Sequence, residues 1–174
     1  MPVVRSVLRD LAWVVGTLLV LGVVAGLVWW RVADPPYYVR TSQGAVMDQA
    51  QLARRVHADG TFMVLGAVAG LLAGLGLTRT RREEPLLTLL LGVVAAVGAG
   101  FVALWLGRTL GHVDVRSAVR AAKVGAHVTD TLGVITPAVV LMWPIGYLIA
   151  AVGLLWGTSD KTPTDPAASV TLSP

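Results

Sequence analysis

The sequence predicts an all-α integral membrane protein: four transmembrane helices, a Gly-zipper-like central hairpin and two structured extramembrane loops. Three observations predict it. Of 174 residues, 55% are hydrophobic and 14% charged, where a soluble domain carries about 25% charged; mean hydropathy is +0.72. Four uncharged runs come near the roughly 20 residues needed to cross a hydrocarbon core. Within the middle two runs, small residues recur at every fourth position.

The runs are 11–30, 61–77, 86–106 and 137–156. Lipid offers no partner to backbone N–H and C=O groups, so each run is expected to be a helix. The first follows Arg5 and Arg9, but at 20 residues it is too long for a cleavable signal core of about 7–15 residues. It also ends in Trp29-Trp30-Arg31 with no small-residue cleavage site, so it reads as an uncleaved anchor. Trp13, Trp29, Trp30, Trp105 and Trp156 fall near run ends, where an aromatic belt belongs. Residues 1–157 form the membrane domain, and the polar, Pro-rich stretch 158–174 reads as a disordered tail.

Four spans place both termini on one side. With the N-terminus inside, the inner segments hold 6 basic residues and the outer loops 31–60 and 107–136 hold 8. Raw count opposes that orientation. The compact Arg79-Thr80-Arg81-Arg82 flank supports it, because short loops and span flanks carry most of the topological information. Cytoplasmic termini are the expectation.

Both outer loops have internal structure. Tyr37 to Arg40 and Ala45 to Met47 read as a hairpin around Thr41-Ser42-Gln43-Gly44. Asp48 reads as the N-cap of a short helix through His57. In the second loop, Val115, Ala118, Val119 and Ala122 share one helical face, and Arg116, Arg120 and Lys123 share another, with Gly125 as the terminator. Such a helix suits a bilayer surface, or equally a solvated position packed on the other loop.

Gly66, Gly70 and Gly74 lie in mid-span, with no strand before them and no Lys-Ser/Thr after. A phosphate-cradling loop needs both. Spacing of four instead makes a contact face, and Gly92, Ala96 and Gly100 make a matching one on the next helix. Only eight residues join the two runs, so the faces are expected to meet in an antiparallel hairpin. Gly22 with Gly26, and Gly146 with Ala150, are shorter faces of the same type. Pro137 suits the first turn of the fourth helix, and Pro144 is expected to kink it. Asp59, just before Gly60-Thr61, is expected to cap the second span.

No span contains Asp, Glu, Lys, Arg or His. Buried ionisable groups mark most ion and proton paths, so a coupled transporter is disfavoured. All three histidines lie in the outer loops beside an aspartate: His57 with Asp59, His112 with Asp114, His127 with Asp130. Three imidazoles and a carboxylate suffice for zinc, but these spacings match no ligand motif. No metal, cofactor or catalytic residue is expected. The chain has no Cys, and its basic residues (12 Arg, 2 Lys) form no stripe interleaved with aromatics, so no nucleic-acid partner is expected.

Three stretches carry a resemblance: VHADGTFMVLGAVAGLLAGL at 56–75, WLGRTLG at 105–111 and Trp143-Pro144. In these the chain resembles a family of small four-span membrane proteins of high-GC Gram-positive (actinobacterial) bacteria, classed as a domain of unknown function. The likeness spans most of residues 11–156, and the loop 107–136 departs from it. It implies the four-span architecture and a bacterial plasma membrane, and brings no activity or ligand. The expected function is that of a non-enzymatic accessory or scaffold protein, embedded in the lipid bilayer and binding another membrane or envelope protein. A small oligomeric transporter or channel subunit is the alternative; homo-oligomerisation is compatible with either.

Overall fold

A computed structural model describes residues 2–80 and 85–159. Helix α1 runs Pro2–Val32, strands β1 and β2 are Tyr37–Thr41 and Gly44–Val46, and α2 runs Gln49–Thr80. Then come α3 (Pro85–Leu110), the short α4 (Val115–Ala121) and β3 (His127–Thr129). A 3₁₀ turn, Pro137–Leu141, leads into α5 (Met142–Ser159). Four of these helices are long and apolar enough to cross a membrane. The chain is a multi-pass membrane protein by that criterion. The disordered tail expected at 158–174, and Arg81 and Arg82, fall on or beyond the edge of the described residues.

The helices pair as α1 with α3 and α2 with α5. Both pairs are parallel, since successive contacts advance together along the two chains. A Cβ on Gly22 would stand 2.6 Å from the Ala99 carbonyl oxygen, and one on Gly26 would stand 2.8 Å from that of Ala103. In the other pair Gly66 lies against the Trp143 indole, Gly70 against the Trp143 backbone, and Gly74 against Tyr147 and Ala150. Gly146 returns the contact onto the backbone of Ala67.

The expected α2–α3 hairpin is therefore corrected: the glycine face of α2 meets α5, and α2 touches α3 only sparingly. The physical reason is fit. Two glycine faces in contact would leave little to fill the bundle centre. Instead Gly92 makes room for the Tyr147 ring, and Gly100 for Val140 and Trp143, while Ala96 is fully buried. Ridges of α5 thus fill notches in both α2 and α3. Trp29, Trp143, Tyr147, Phe62 and Leu18 are the large side chains at the centre. Tyr147 donates its hydroxyl to the Thr88 carbonyl at 2.9 Å, which satisfies the polar end of a ring buried in lipid-depth packing. The Trp143 indole N–H has no partner among the described residues.

Two further expectations change. Asp48 does accept a hydrogen bond from Gln51 N–H at 2.8 Å at the helix start. The helix that begins there, however, runs unbroken through Gly60 into the span, so Asp59 is interior and caps nothing on its own helix. Tertiary packing holds this extension together: Gln51 and Ala58 are buried under the loops. Pro144, expected as a kink inside the helix, falls in the first turn of α5, where its missing N–H is one of the groups a helix start leaves unpaired; a 3₁₀ turn opened by Pro137 leads into it.

The loops combine into one cap. A three-stranded antiparallel sheet has the order β2-β1-β3, with Thr41 opposite Gly44 and Tyr38 opposite Val128. The hairpin turn is thus two residues, Ser42-Gln43, shorter than expected, and Gly44 takes a positive φ of 152° that an L side chain rarely adopts. The second-loop helix is only seven residues long. Asp114 caps it, accepting from Ser117 N–H at 3.3 Å. Its end at Ala121 leaves Lys123 and Gly125 in a turn beyond it.

Gly70→Ala and Gly76→Ala separate the contact face from lipid. A Cβ at Gly70 would collide with the Trp143 and Tyr147 backbones, whereas Gly76 has nothing within 4 Å. Backbone cannot give way as a flexible side chain does. Gly70→Ala is expected to destabilise by about 1–3 kcal/mol and Gly70→Leu by more. Gly76→Ala should be neutral, or gain up to about 1 kcal/mol from helix propensity. Thermal unfolding in detergent checks this; equal midpoints for Gly70→Leu and the parent would refute the α2–α5 contact.

Candidate functional site

The largest polar constellation sits where the cap meets the bundle. Trp29, at the end of the first apolar run, donates its indole N–H to the Ala58 carbonyl at 3.0 Å and packs edge-on against Phe62, with centroids 5.1 Å apart. Gly107 of α3 provides the space beneath the Trp29 ring, and Gly111 does the same for Leu132. These contacts tie the outer ends of α1, α2 and α3 to the loop before α5.

Polar pairs surround this apolar seam. Arg55 on α2 forms an ion pair with buried Asp130, just after β3, and a hydrogen bond with the Tyr38 hydroxyl at 3.3 Å. The bond and charge of Asp130 hold the Arg55 guanidinium above its usual basicity. Asp130 also accepts from Thr131 N–H at 2.8 Å. Buried Gln51 accepts the Tyr37 N–H at 3.2 Å. Tyr37 stacks on His127 at 4.4 Å, with Arg54 over its ring at 5.6 Å. Arg54 in turn pairs with Asp34 at 2.7 Å.

Asp59 has a different job from the expected cap. Its two carboxylate oxygens accept the Ile135 N–H at 3.2 and 3.1 Å, with Thr136 N–H adding to the bond. It therefore anchors the segment that leads into α5, from the extramembrane part of α2. Burial raises its pKa above the ordinary carboxylate value; the Ile135 and Thr136 bonds and the nearby Arg108 charge oppose that rise. Asp114, in contrast, is held below that value by its bonds from Ser117.

Two adjoining cavities share Arg108 and His112. One, of about 450 Å³, lies in the cap against Arg55, Asp130, Pro36 and Ile135. The other, of about 530 Å³, continues down the apolar side of α3 between Phe101, Leu104, Trp105 and Pro137. A third cavity, of about 660 Å³, is an apolar groove between Trp13, Gly16 and Val20 of α1 and Leu72, Gly76 and Thr80 of α2.

The histidines do not converge. His57 is exposed on α2, His112 lines the paired cavities and His127 stacks on Tyr37; among the described residues no three His, Cys, Asp or Glu side chains are placed to hold a metal. Sequence reading missed the Arg55–Asp130 pair and the Arg108–His112 juncture. The one available signal was the i, i+4 spacing of Arg108 and His112 at the end of an apolar run. Comparison with family models, curated proteins and solved structures finds no match.

Asp59 variants test its anchoring role. Because the folded carboxyl has a raised pKa, folding favours its neutral form: that contribution is full at pH below the unfolded value and is lost as pH rises through the folded one. Asp59→Asn, neutral and still an acceptor, should match or exceed the parent at pH 7. Asp59→Ala, which leaves two amides unpaired, should lose roughly 0.5–1.5 kcal/mol. Unfolding midpoints at pH 7 and at a pH below the unfolded value of 3.8 decide: the parent should gain on Asn as pH falls, and a parent–Asn difference independent of pH would contradict the assignment.

Proposed function

We propose that the chain is a non-enzymatic accessory or scaffold protein of the membrane, which presents its cap to another membrane or envelope component. The observation that carries this is the cap itself. Both long loops enter a single sheet, pinned to α2 by Arg55–Asp130. Arg116, Arg120 and Lys123 remain exposed beside it, with no ion pair of theirs among the described residues. A rigid, cation-bearing platform is suited to an acidic partner surface. The resemblance to four-span proteins of high-GC Gram-positive bacteria supports a bacterial plasma membrane, and the Arg79-to-Arg82 flank supports cytoplasmic termini with the cap outside.

The alternative, an oligomeric transporter or channel subunit, draws support from the groove between α1 and α2, which a second copy would have to complete. Within one chain the bundle centre is filled by Trp143, Tyr147 and Phe62, leaving the alternative dependent on that assembly.

The chain has no Cys, so single cysteines at Ser42 and Thr80 report the orientation on intact cells. An impermeant thiol reagent is expected to label Ser42 and spare Thr80; the reverse inverts the topology. For the function, a photo-crosslinking residue at Arg116 should give one discrete adduct with an envelope component, and the same residue at lipid-facing Val94 should not. Identical adducts from both sites, or solute flux through reconstituted vesicles above the empty control, would displace the scaffold reading.

A further inference from the structure

We propose that the juncture of Arg108 and His112 is a binding site for an anionic membrane lipid, its headgroup in the cap cavity and its acyl chain along α3. Phe101, Leu104, Trp105, Arg108 and His112 follow one another along one side of α3 and the turn that ends it. Trp105 and Phe101 are exposed, as lipid-facing aromatics at the end of an apolar run should be. Arg108 lies in the last helical turn, at the depth where headgroups lie. Pro137 closes the other wall of the groove.

Chemistry then selects the occupant. The lower cavity is bounded mainly by aromatic and aliphatic side chains, and the upper one adds Arg55, Asp130 and loop backbone. Arg108 and His112 line both. A ligand that satisfies the two together has an apolar tail and a polar head, and the cation at the boundary asks for a negative head. Arg55 is committed to Asp130. Arg108 is not committed in that way: its guanidinium makes one long bond, to the Val134 carbonyl at 3.5 Å. Of its five N–H donors, most remain for phosphate oxygens. Basic pockets beside membrane helices bind anionic headgroups by this means. The acidic groups at the juncture are Asp59 and Asp130. Asp130 faces Arg55, and both Asp59 oxygens are engaged by backbone N–H groups, although the Asp59 charge still acts on Arg108.

The inference rests on the membrane placement and not on the scaffold reading. Lipid binding in detergent can fail while the cap still cross-links a protein, and the converse. Full-length protein, stripped of lipid by detergent exchange, is titrated with phosphatidylglycerol, with phosphatidylcholine of the same chains, and with glycerol phosphate. Thermal midpoint and native mass spectrometry are the readouts. Phosphatidylglycerol is expected to bind saturably, with about one lipid per chain retained, and at least tenfold more tightly than phosphatidylcholine. Arg108→Gln should erase most of that preference, on the order of a tenfold loss for a charge-assisted contact. Arg116→Gln should keep it. Asp59→Asn should tighten binding, a gain that a merely structural Arg108 would not produce. Equal response to both lipids, equal protection by glycerol phosphate, or retention of the preference in Arg108→Gln overturns the proposal. If Arg108→Gln does not fold, unchanged affinity in Asp59→Asn overturns it alone. A shift in oligomeric state in Arg108→Gln without any lipid effect would mean that a second copy covers the groove, and also overturns it.

Discussion

The rest of this structure depends on how closely two helix backbones approach where one of them carries no side chain. In lipid, helices gain nothing from a hydrophobic effect between them, because the tails are as apolar as the side chains; contact area and short polar bonds do the work. At Gly22 and Gly26 the backbone of α1 lies directly on Ala99 and Ala103, and at Gly70 and Gly146 the backbones of α2 and α5 lie on each other. Four other glycines act differently. Gly66, Gly92, Gly100 and Gly107 face rings, those of Trp143, Tyr147 and Trp29. One residue type thus sets the distance between helices at some levels and makes sockets for aromatics at others. Without the first set, the second would have no ring to receive.

The cap follows from the parallel pairing. Because α1 and α3 cross in the same direction and in contact, their outer ends emerge side by side. The chain leaving α1 becomes β1, and the chain leaving α3 comes round to β3, so the two can pair across the top. A hairpin of β1 and β2 alone would be marginal in water; a third strand and a packed face are what allow such a sheet to persist. Arg55 and Asp59, both on the extension of α2, then hold the second loop at Asp130 and at Ile135. The long α2 is the post on which the second loop hangs, which is why it does not stop at the membrane surface.

Part of this was legible in the sequence. The four spans were, because the absence of charge over about 20 residues has few other meanings. The small-residue faces were also legible as places of contact. Their partners were not. Spacing of four says that a face is flat and says nothing of what lies on it. Chain adjacency suggested α3 as the partner of Gly66, Gly70 and Gly74, but Trp143 and Tyr147 on α5 fit those notches better than another flat face does. Asp59 and Pro144 were misread for one reason: each was judged by its local helix rules before the helix ends were known. Extending α2 upward by packing turned a cap into an anchor between loops, and starting α5 at Met142 turned a kink into an ordinary first turn. β3 was invisible because three residues, His127-Val128-Thr129, carry no period; only the β1 edge makes them a strand.

The outer end of α3 shows how one helix can be fixed on one side and open on the other. Gly107 and Gly111 face inward and receive Trp29 and Leu132, which locks this turn to the cap core. About a quarter-turn round the helix, Phe101, Trp105, Arg108 and His112 form a neighbouring stripe and line the cavities instead. A binding surface at a membrane boundary needs that combination, since a mobile helix end would lose affinity to the ordering it requires on contact. The anchoring glycines therefore bear on the outward stripe without touching it: they hold in place the backbone that carries the cation. Gly107 has the further role of making room for the ring whose N–H reaches Ala58, so the same turn that sets the position of Arg108 also joins α1 to α2. The packing that builds the bundle and the geometry that leaves a charged, half-apolar opening at its rim are two sides of one helical turn.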